Sequence, residues 1–133
     1  GAGAGVDVVE ENLGTGSTLR LLQLWVQPTH SNTLPAQATA RAGVGASAVA
    51  ASANALLCWR AAACVRRALV APGASLAVPA TSGRACWIEV IDGEIAHGRR
   101  FLRGGDGLGV TDETGFALVS CYGADLLIIE LPS

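Results

Sequence analysis

The sequence contains no Lys and no Met, and its nine basic residues are all Arg. Formal net charge is -2 and pI about 5.6. A nucleic-acid-binding domain ordinarily carries a basic excess, and this chain has none. Charged residues make up only 15% against 50% hydrophobic, which excludes disorder over most of the length. Aromatics are scarce as well, at three Trp, two Phe and one Tyr. Because 24 of the apolar residues are Ala, the core must come mainly from Leu, Val and Ile. No apolar run approaches the ~20 residues that a bilayer-crossing helix needs, so no membrane partner is expected. None of the four cysteines (Cys58, Cys64, Cys86 and Cys121) forms a CxxC pair. A zinc knuckle or a thioredoxin-like motif is therefore not indicated. Their apolar neighbours suggest buried, reduced thiols. With no basic-then-apolar leader pattern near residue 1, the expected location is cytoplasmic.

At 133 residues the chain suits one domain of ordinary size. Turn pairs recur through its second half: Pro72-Gly73, Ser82-Gly83, Asp92-Gly93, His97-Gly98, Gly104-Gly105-Asp106-Gly107, Thr114-Gly115 and Gly123-Ala124. Short apolar runs lie between them, at 56–59, 65–70, 75–78, 85–91, 107–110, 116–121 and 126–131. Such spacing predicts an all-β sandwich or barrel. A helix over 60–69 is the main competitor and would stand isolated in these surroundings. Asp92-Gly93 predicts a type I′ hairpin, since both residues tolerate positive φ. Upstream, Leu19 to Val26 reads as an extra N-terminal strand ended by Pro28. The stretch from Thr29 to Asn54 reads as an Ala/Ser-rich crossing with a short strand at 46–51. The expected organisation is a strand segment over 1–28, the crossing over 29–54 and a barrel over 55–133.

Most chemistry-bearing motifs fail on inspection. There is no G-x-S-x-G elbow for a serine nucleophile. Gly14-Thr15-Gly16-Ser17-Thr18 lacks the Lys of a phosphate loop, and Gly1-Ala2-Gly3-Ala4-Gly5 follows no strand. His30 and His97 sit in turn-like surroundings and read as exposed. Neighbours on a strand face opposite ways, so only one of Arg66 and Arg67 can point inward to meet an anion. The same geometry weakens Glu10-Glu11 and Asp112-Glu113 as acid–base pairs. Trp59 and Trp87 could line a cavity, though core or interface packing is the commoner use of Trp in a small barrel.

The order of several strings carries a family resemblance. These are Trp87-Ile88-Glu89-Val90-Ile91-Asp92-Gly93-Glu94-Ile95, Leu102-Arg103-Gly104-Gly105-Asp106-Gly107, Val110-Thr111-Asp112-Glu113 and Asp125-Leu126-Leu127-Ile128-Ile129-Glu130-Leu131-Pro132. They resemble the C-terminal cupin of pirin-like bicupin proteins, a group that includes quercetin dioxygenases. Leu22-Gln23-Leu24-Trp25-Val26-Gln27-Pro28 and Leu69-Val70-Ala71-Pro72-Gly73-Ala74-Ser75-Leu76 extend the likeness upstream. It implies a single cupin-like jelly-roll barrel. Metal-binding cupins hold a divalent ion with His and Glu side chains. Laid on this chain, their His positions fall at Pro79 and Thr81, their Glu position at or near Cys86, and their later His position at Leu108. No metal ligand remains there. In the family's other cupin an H-S-E-type segment aligns with Val8-Val9-Glu10, leaving Glu10 as a relic ligand at most. One carboxylate cannot hold a catalytic metal, which takes about three protein ligands.

The resemblance thus implies a metal-free module with no cofactor, more a binding or contact domain than an enzyme. The alternative is a metal-dependent dioxygenase of the quercetinase type. Trp59, Pro79, Thr81, Cys86, Trp87 and Leu108 are the candidate lining of an apolar cavity for a small molecule. The largely apolar faces of the Leu19–Val26 strand suggest a homodimer, with strand swapping as one arrangement.

Overall fold

The computed structural model describes residues 11, 13–24, 52–59, 63–78, 84–111 and 114–132. Contacts divide the chain into Gly1–Thr39 and Ala40–Ser133. In the first unit, residues 13–24 form no strand and are exposed throughout, with a bend at Thr15-Gly16. The strand expected from Leu19 is therefore absent over Leu19–Leu24, and Trp25 and Val26 lie outside the described residues. The reason is physical: a strand needs a partner ladder for its N–H and C=O groups, and apolar composition alone supplies none. The expected strand over 46–51 also lies outside the described residues.

The second unit is all-β among the described residues. Its strands are β1 (Ser52–Trp59), β2 (Ala63–Val70), β3 (Ser75–Val78), β4 (Arg84–His97), β5 (Arg100–Arg103), β6 (Gly107–Thr111), β7 (Phe116–Val119) and β8 (Ala124–Pro132). All pairings are antiparallel. One sheet runs β1-β2-β8-β4-β6 and the other β3-β7-β4-β5. Strand β4 belongs to both, so the two sheets are one curled surface folded at a corner of β4.

That corner is Asp92-Gly93, and it corrects the hairpin expected there. β8 accompanies β4 through it, pairing Asp92 with Asp125 and Gly93 with Ala124. The register slips between Val90 and Asp92, so the positive φ that Gly supplies, 83° at Gly93, serves a β-bulge instead of a turn. The slip also reverses the facing pattern. Cys86, Ile88 and Val90 are buried before it and Ile95 after it, an odd step that keeps both arms of β4 facing the same core. The loop after β5 satisfies backbone groups at the bulge: Gly105 N–H donates to Val90 C=O, Gly104 N–H to Gly93 C=O, and Val90 N–H to Asp106 C=O. The two-residue hairpin proper is at Gly98-Arg99, between paired His97 and Arg100, with Gly98 at φ 60°. A Gly at the first central position is what a type II′ turn requires.

The core fills the space between the sheets. One sheet contributes Ala68, Val70, Ile88, Val90, Leu126 and Ile128, and the other Leu76, Val78, Ile95 and Leu118. Each large side chain contributes roughly 1.5–3 kcal/mol on burial. The helix competitor over 60–69 loses to strand β2 because Ala68 and Val70 alternate into this core.

The cysteines depart from the expected uniform set. Cys86 is free and buried, and Cys121 is free but exposed. Cys64 is disulfide-bonded, and the backbone of Cys58 pairs with its backbone across the β1–β2 ladder. The thiols therefore no longer argue for a reducing compartment. Among the described residues no helix is long and apolar enough to cross a membrane.

Candidate functional site

Residues paired across a ladder share a face, so the register places whole rows of side chains. One row crosses β2, β8, β4 and β6 as Cys64, Glu130, Cys86 and Val110. The next is Arg66, Ile128, Ile88 and Leu108. Because Cys86, Val110, Ile88 and Ile128 are buried in the core cluster, both rows face the interior. Arg84 opens β4 two residues before Cys86 and shares its face. These rows mark the end of the barrel away from the bulge. On the second sheet, Val78 pairs with Phe116, whose ring meets His97 edge to face at 4.9 Å. Residues 79–83 join Val78 to Arg84, so the α-carbons of these two residues lie within about 22 Å of each other.

Of the six expected lining residues, Cys86 and Leu108 do face inward, the first fully buried and the second packed on the core. Trp87 is a correction. It is 42% exposed and lies on the outer face, where its indole covers Gly107 and Gly109 and donates from Nε1 to Glu89 Oε2 at 3.1 Å. Adjacent strand residues cannot both point inward, so Cys86 and Trp87 could not both line one cavity. Trp59 closes β1, with its backbone paired to Ala63. Pro79, Thr81, Glu10 and His30 lie outside the described residues. His97 is also corrected. It is half-buried, not exposed, and its Nδ1 is buried without a hydrogen-bond partner.

The sequence reading left open which of Arg66 and Arg67 points inward and did not single out Glu130 as a site residue. Arg66 is the inward member of the Arg66-Arg67 pair, its side chain 37% exposed. It meets Glu130, whose side chain is only 11% exposed, with Nε 3.2 Å from Oε1. Arg84 approaches the other oxygen of the same carboxylate at 3.9 Å. By distance Arg66 and Glu130 are an ion pair, yet the buried Nε–H of Arg66 has no acceptor in hydrogen-bond geometry. Arg67, facing outward, is held by a two-bond fork: its Nε and Nη2 donate to the two oxygens of Asp125 at 2.9 and 2.6 Å. That bidentate hydrogen bonding, with the charge of Asp125, raises the pKa of the Arg67 guanidinium. Burial pushes the Cys86 thiol up to about 11, and the charge of Glu130 adds to the effect. A thiol so held is a small hydrophobe at neutral pH, not a nucleophile.

The resemblance puts the Glu of the metal-binding pattern at or near Cys86 and its later His at Leu108, and these two side chains, in and on the hydrocarbon core, do not fit a divalent metal. Among the described residues no group of three or more His, Cys, Asp or Glu side chains is placed to hold an ion.

Comparison with known proteins agrees with this architecture. The barrel superposes on the cupin domain of an XRE family transcriptional regulator from Enterobacter cloacae, with a TM-score of 0.56 at 19% identity, covering 63% of this chain and 98% of that one. A conserved protein with a double-stranded β-helix domain from Klebsiella pneumoniae gives a TM-score of 0.58 at 17% identity, over 67% of this chain and 78% of that one. Bacterial pirin YhhW from Escherichia coli, solved with nickel(II), gives 0.50 at 20% identity over 53% of this chain, which spans 31% of the pirin. No curated protein matches the sequence. Residues 50–131 match the family described as the quercetinase C-terminal cupin domain. Since this match takes in every strand from β1 to β7 and nearly all of β8, the chain belongs to the quercetinase C-terminal cupin domain family.

Proposed function

We propose that the chain is a metal-free cupin module that binds a small, largely apolar molecule in its barrel. The observation that supports this reading is that Cys86 and Leu108, on adjacent inward rows, are packed in or on the core, where the resemblance puts two metal-ligand positions at or near Cys86 and at Leu108. A fold without the site residues does not confer the chemistry of its relatives. The test is metal content after mild purification, with quercetin turnover assayed with and without added iron, nickel, copper or manganese. Substoichiometric metal and turnover at the buffer blank support the module. Stoichiometric metal or metal-dependent turnover replaces it with the dioxygenase reading.

The same reading includes a homodimer. Its support is the exposure of Leu19, Leu21, Leu22 and Leu24 in one short segment, apolar surface that a second copy would cover. Light scattering behind size exclusion should give twice 13.4 kDa, and Leu22→Asp should shift the species toward monomer. A monomer for the unaltered chain ends the proposal.

A further inference from the structure

We infer that the outer edge of β5, in the β4–β5 hairpin, takes an extended acidic segment of a partner protein as an added strand. His97 and Arg100 flank the two-residue turn, which makes them a hydrogen-bonded pair, and bonded and non-bonded pairs alternate along an antiparallel ladder. Ala96 and Phe101, the next pair, are therefore not bonded to each other. Ala96 turns its backbone groups toward Val119 of β7, and Phe101 turns its N–H and C=O away from β4. Two residues on, the Arg103 N–H also points away from β4 and donates to Asp106 Oδ2 at 2.8 Å. Among the described residues no strand pairs with β5 on that side.

The side chains select the partner. Arg99 and Arg100 are exposed, and among the described residues neither has a carboxylate within ion-pair distance. Glu94 and Asp106 both turn to Arg103, the first to its Nε at 2.8 Å and the second to its N–H. Phe101, 65% exposed, faces outward with Ala96 and Val119, because Ile95 and Leu102 pack on the core. A strand laid along this edge alternates its side chains as β5 does. Acidic residues then meet Arg99 and Arg100, and apolar ones meet Phe101. A second copy of β5 would set arginines against arginines, and charged edges guard against such self-pairing. Net charge of -2 disfavours nucleic acid as the anionic partner. This surface is independent of the small-molecule reading above.

The experiment titrates the full, isotope-labelled chain with two synthetic peptides, acetyl-DVEFDV-amide and its neutral counterpart acetyl-NVQFNV-amide. The acidic peptide should saturably shift the Phe101 amide and the Arg99 and Arg100 Nε–H resonances. The neutral peptide should bind about fivefold more weakly or worse, the sum of two exposed ion pairs. Arg99→Gln combined with Arg100→Gln should weaken the acidic peptide by the same factor, and added salt should weaken it in the unaltered chain. Both arginines are on the surface, so this variant keeps the fold. Arg20→Gln removes an exposed arginine outside the hairpin and should leave the affinity unchanged. The acidic peptide N-methylated on its backbone cannot donate to a ladder and should not bind. Equal binding of the acidic and neutral peptides, or of neither, overturns the proposal. So does an affinity unmoved in the double variant, or full-strength binding of the N-methylated peptide. Saturation of the same resonances by an oligothymidylate or by phosphatidylserine vesicles at lower concentration than the peptide also overturns it and assigns the hairpin to a polyanion.

Discussion

Gly93 lies directly against the carbonyl of Gly123, so that a methyl group on its α-carbon would overlap that oxygen and come within 2.8 Å of the Ala124 α-carbon. The same carbonyl accepts the Glu94 N–H at 3.2 Å, which fixes it in place. Gly93 also has φ 83°. Gly93→Ala therefore meets two costs at once, about 1–3 kcal/mol for left-handed backbone in a non-glycine residue and about 1–3 kcal/mol for overpacking. Urea unfolding should show a midpoint well below that of the unaltered chain. Gly98→Ala, at a turn where a methyl meets nothing within 4 Å, should cost only the backbone part.

Trp87 and Gly107 give a second prediction. A methyl at Gly107 would overlap the indole, coming within 2.8 Å of Trp87 Cε2. That neighbour is an exposed side chain and can move. Gly107→Ala should fold, displace the indole from Glu89, and shift tryptophan emission while costing at most about 1–3 kcal/mol. An unchanged emission maximum with an unchanged melt would contradict this placement.

The barrel was legible in the sequence because its signals are local. Turn dipeptides at short intervals and alternation such as Cys86-Trp87-Ile88-Glu89-Val90 need no distant partner to be read. Strands β3 and β6 appear nearly where those signals put them. Asp92-Gly93 was misread because one requirement, positive φ, is shared by a hairpin and a bulge. Only the run of β8 alongside β4 decides between them. The Arg66–Glu130 pair was illegible for a different reason. The two residues lie on strands far apart in sequence, and the choice between Arg66 and Arg67 depends on a register that nothing local sets. His97 looked like a turn residue because its packing partner, Phe116, comes from another strand. Trp87 as cavity lining conflicted with the alternation that correctly placed Cys86 inside.

Thiol accounting offers a third test. Among the described cysteines, Cys86 and Cys121 are free and Cys64 is disulfide-bonded. Titration of the folded, unreduced protein should find one fast thiol, the exposed Cys121. A second, Cys86, should react only slowly or after unfolding. Reduction before unfolding should raise the total to the four cysteines of the sequence. Four thiols without reductant would remove the disulfide and restore the expected set of reduced thiols.

The last prediction concerns alkaline pH. Burial, and secondarily the charge of Glu130, raises the Cys86 thiol from 9.0 to about 11 in the folded chain. Between these values the unfolded chain has released the proton and the folded chain still holds it. Stability falls with pH wherever the folded state binds more protons than the unfolded state. The contribution of Cys86 is therefore fully present below pH 9 and is lost progressively as pH rises toward about 11. Denaturant midpoints should be level for this group up to pH 9 and decline above it. Cys86→Ala removes the titrating group and should flatten the decline, at a constant cost for the buried atoms it deletes. Glu130→Gln removes the secondary cause, so the folded thiol should ionise at lower pH and the decline should end sooner. A slope unchanged in Cys86→Ala would assign the alkaline loss to other groups and contradict the burial of this thiol beside Glu130.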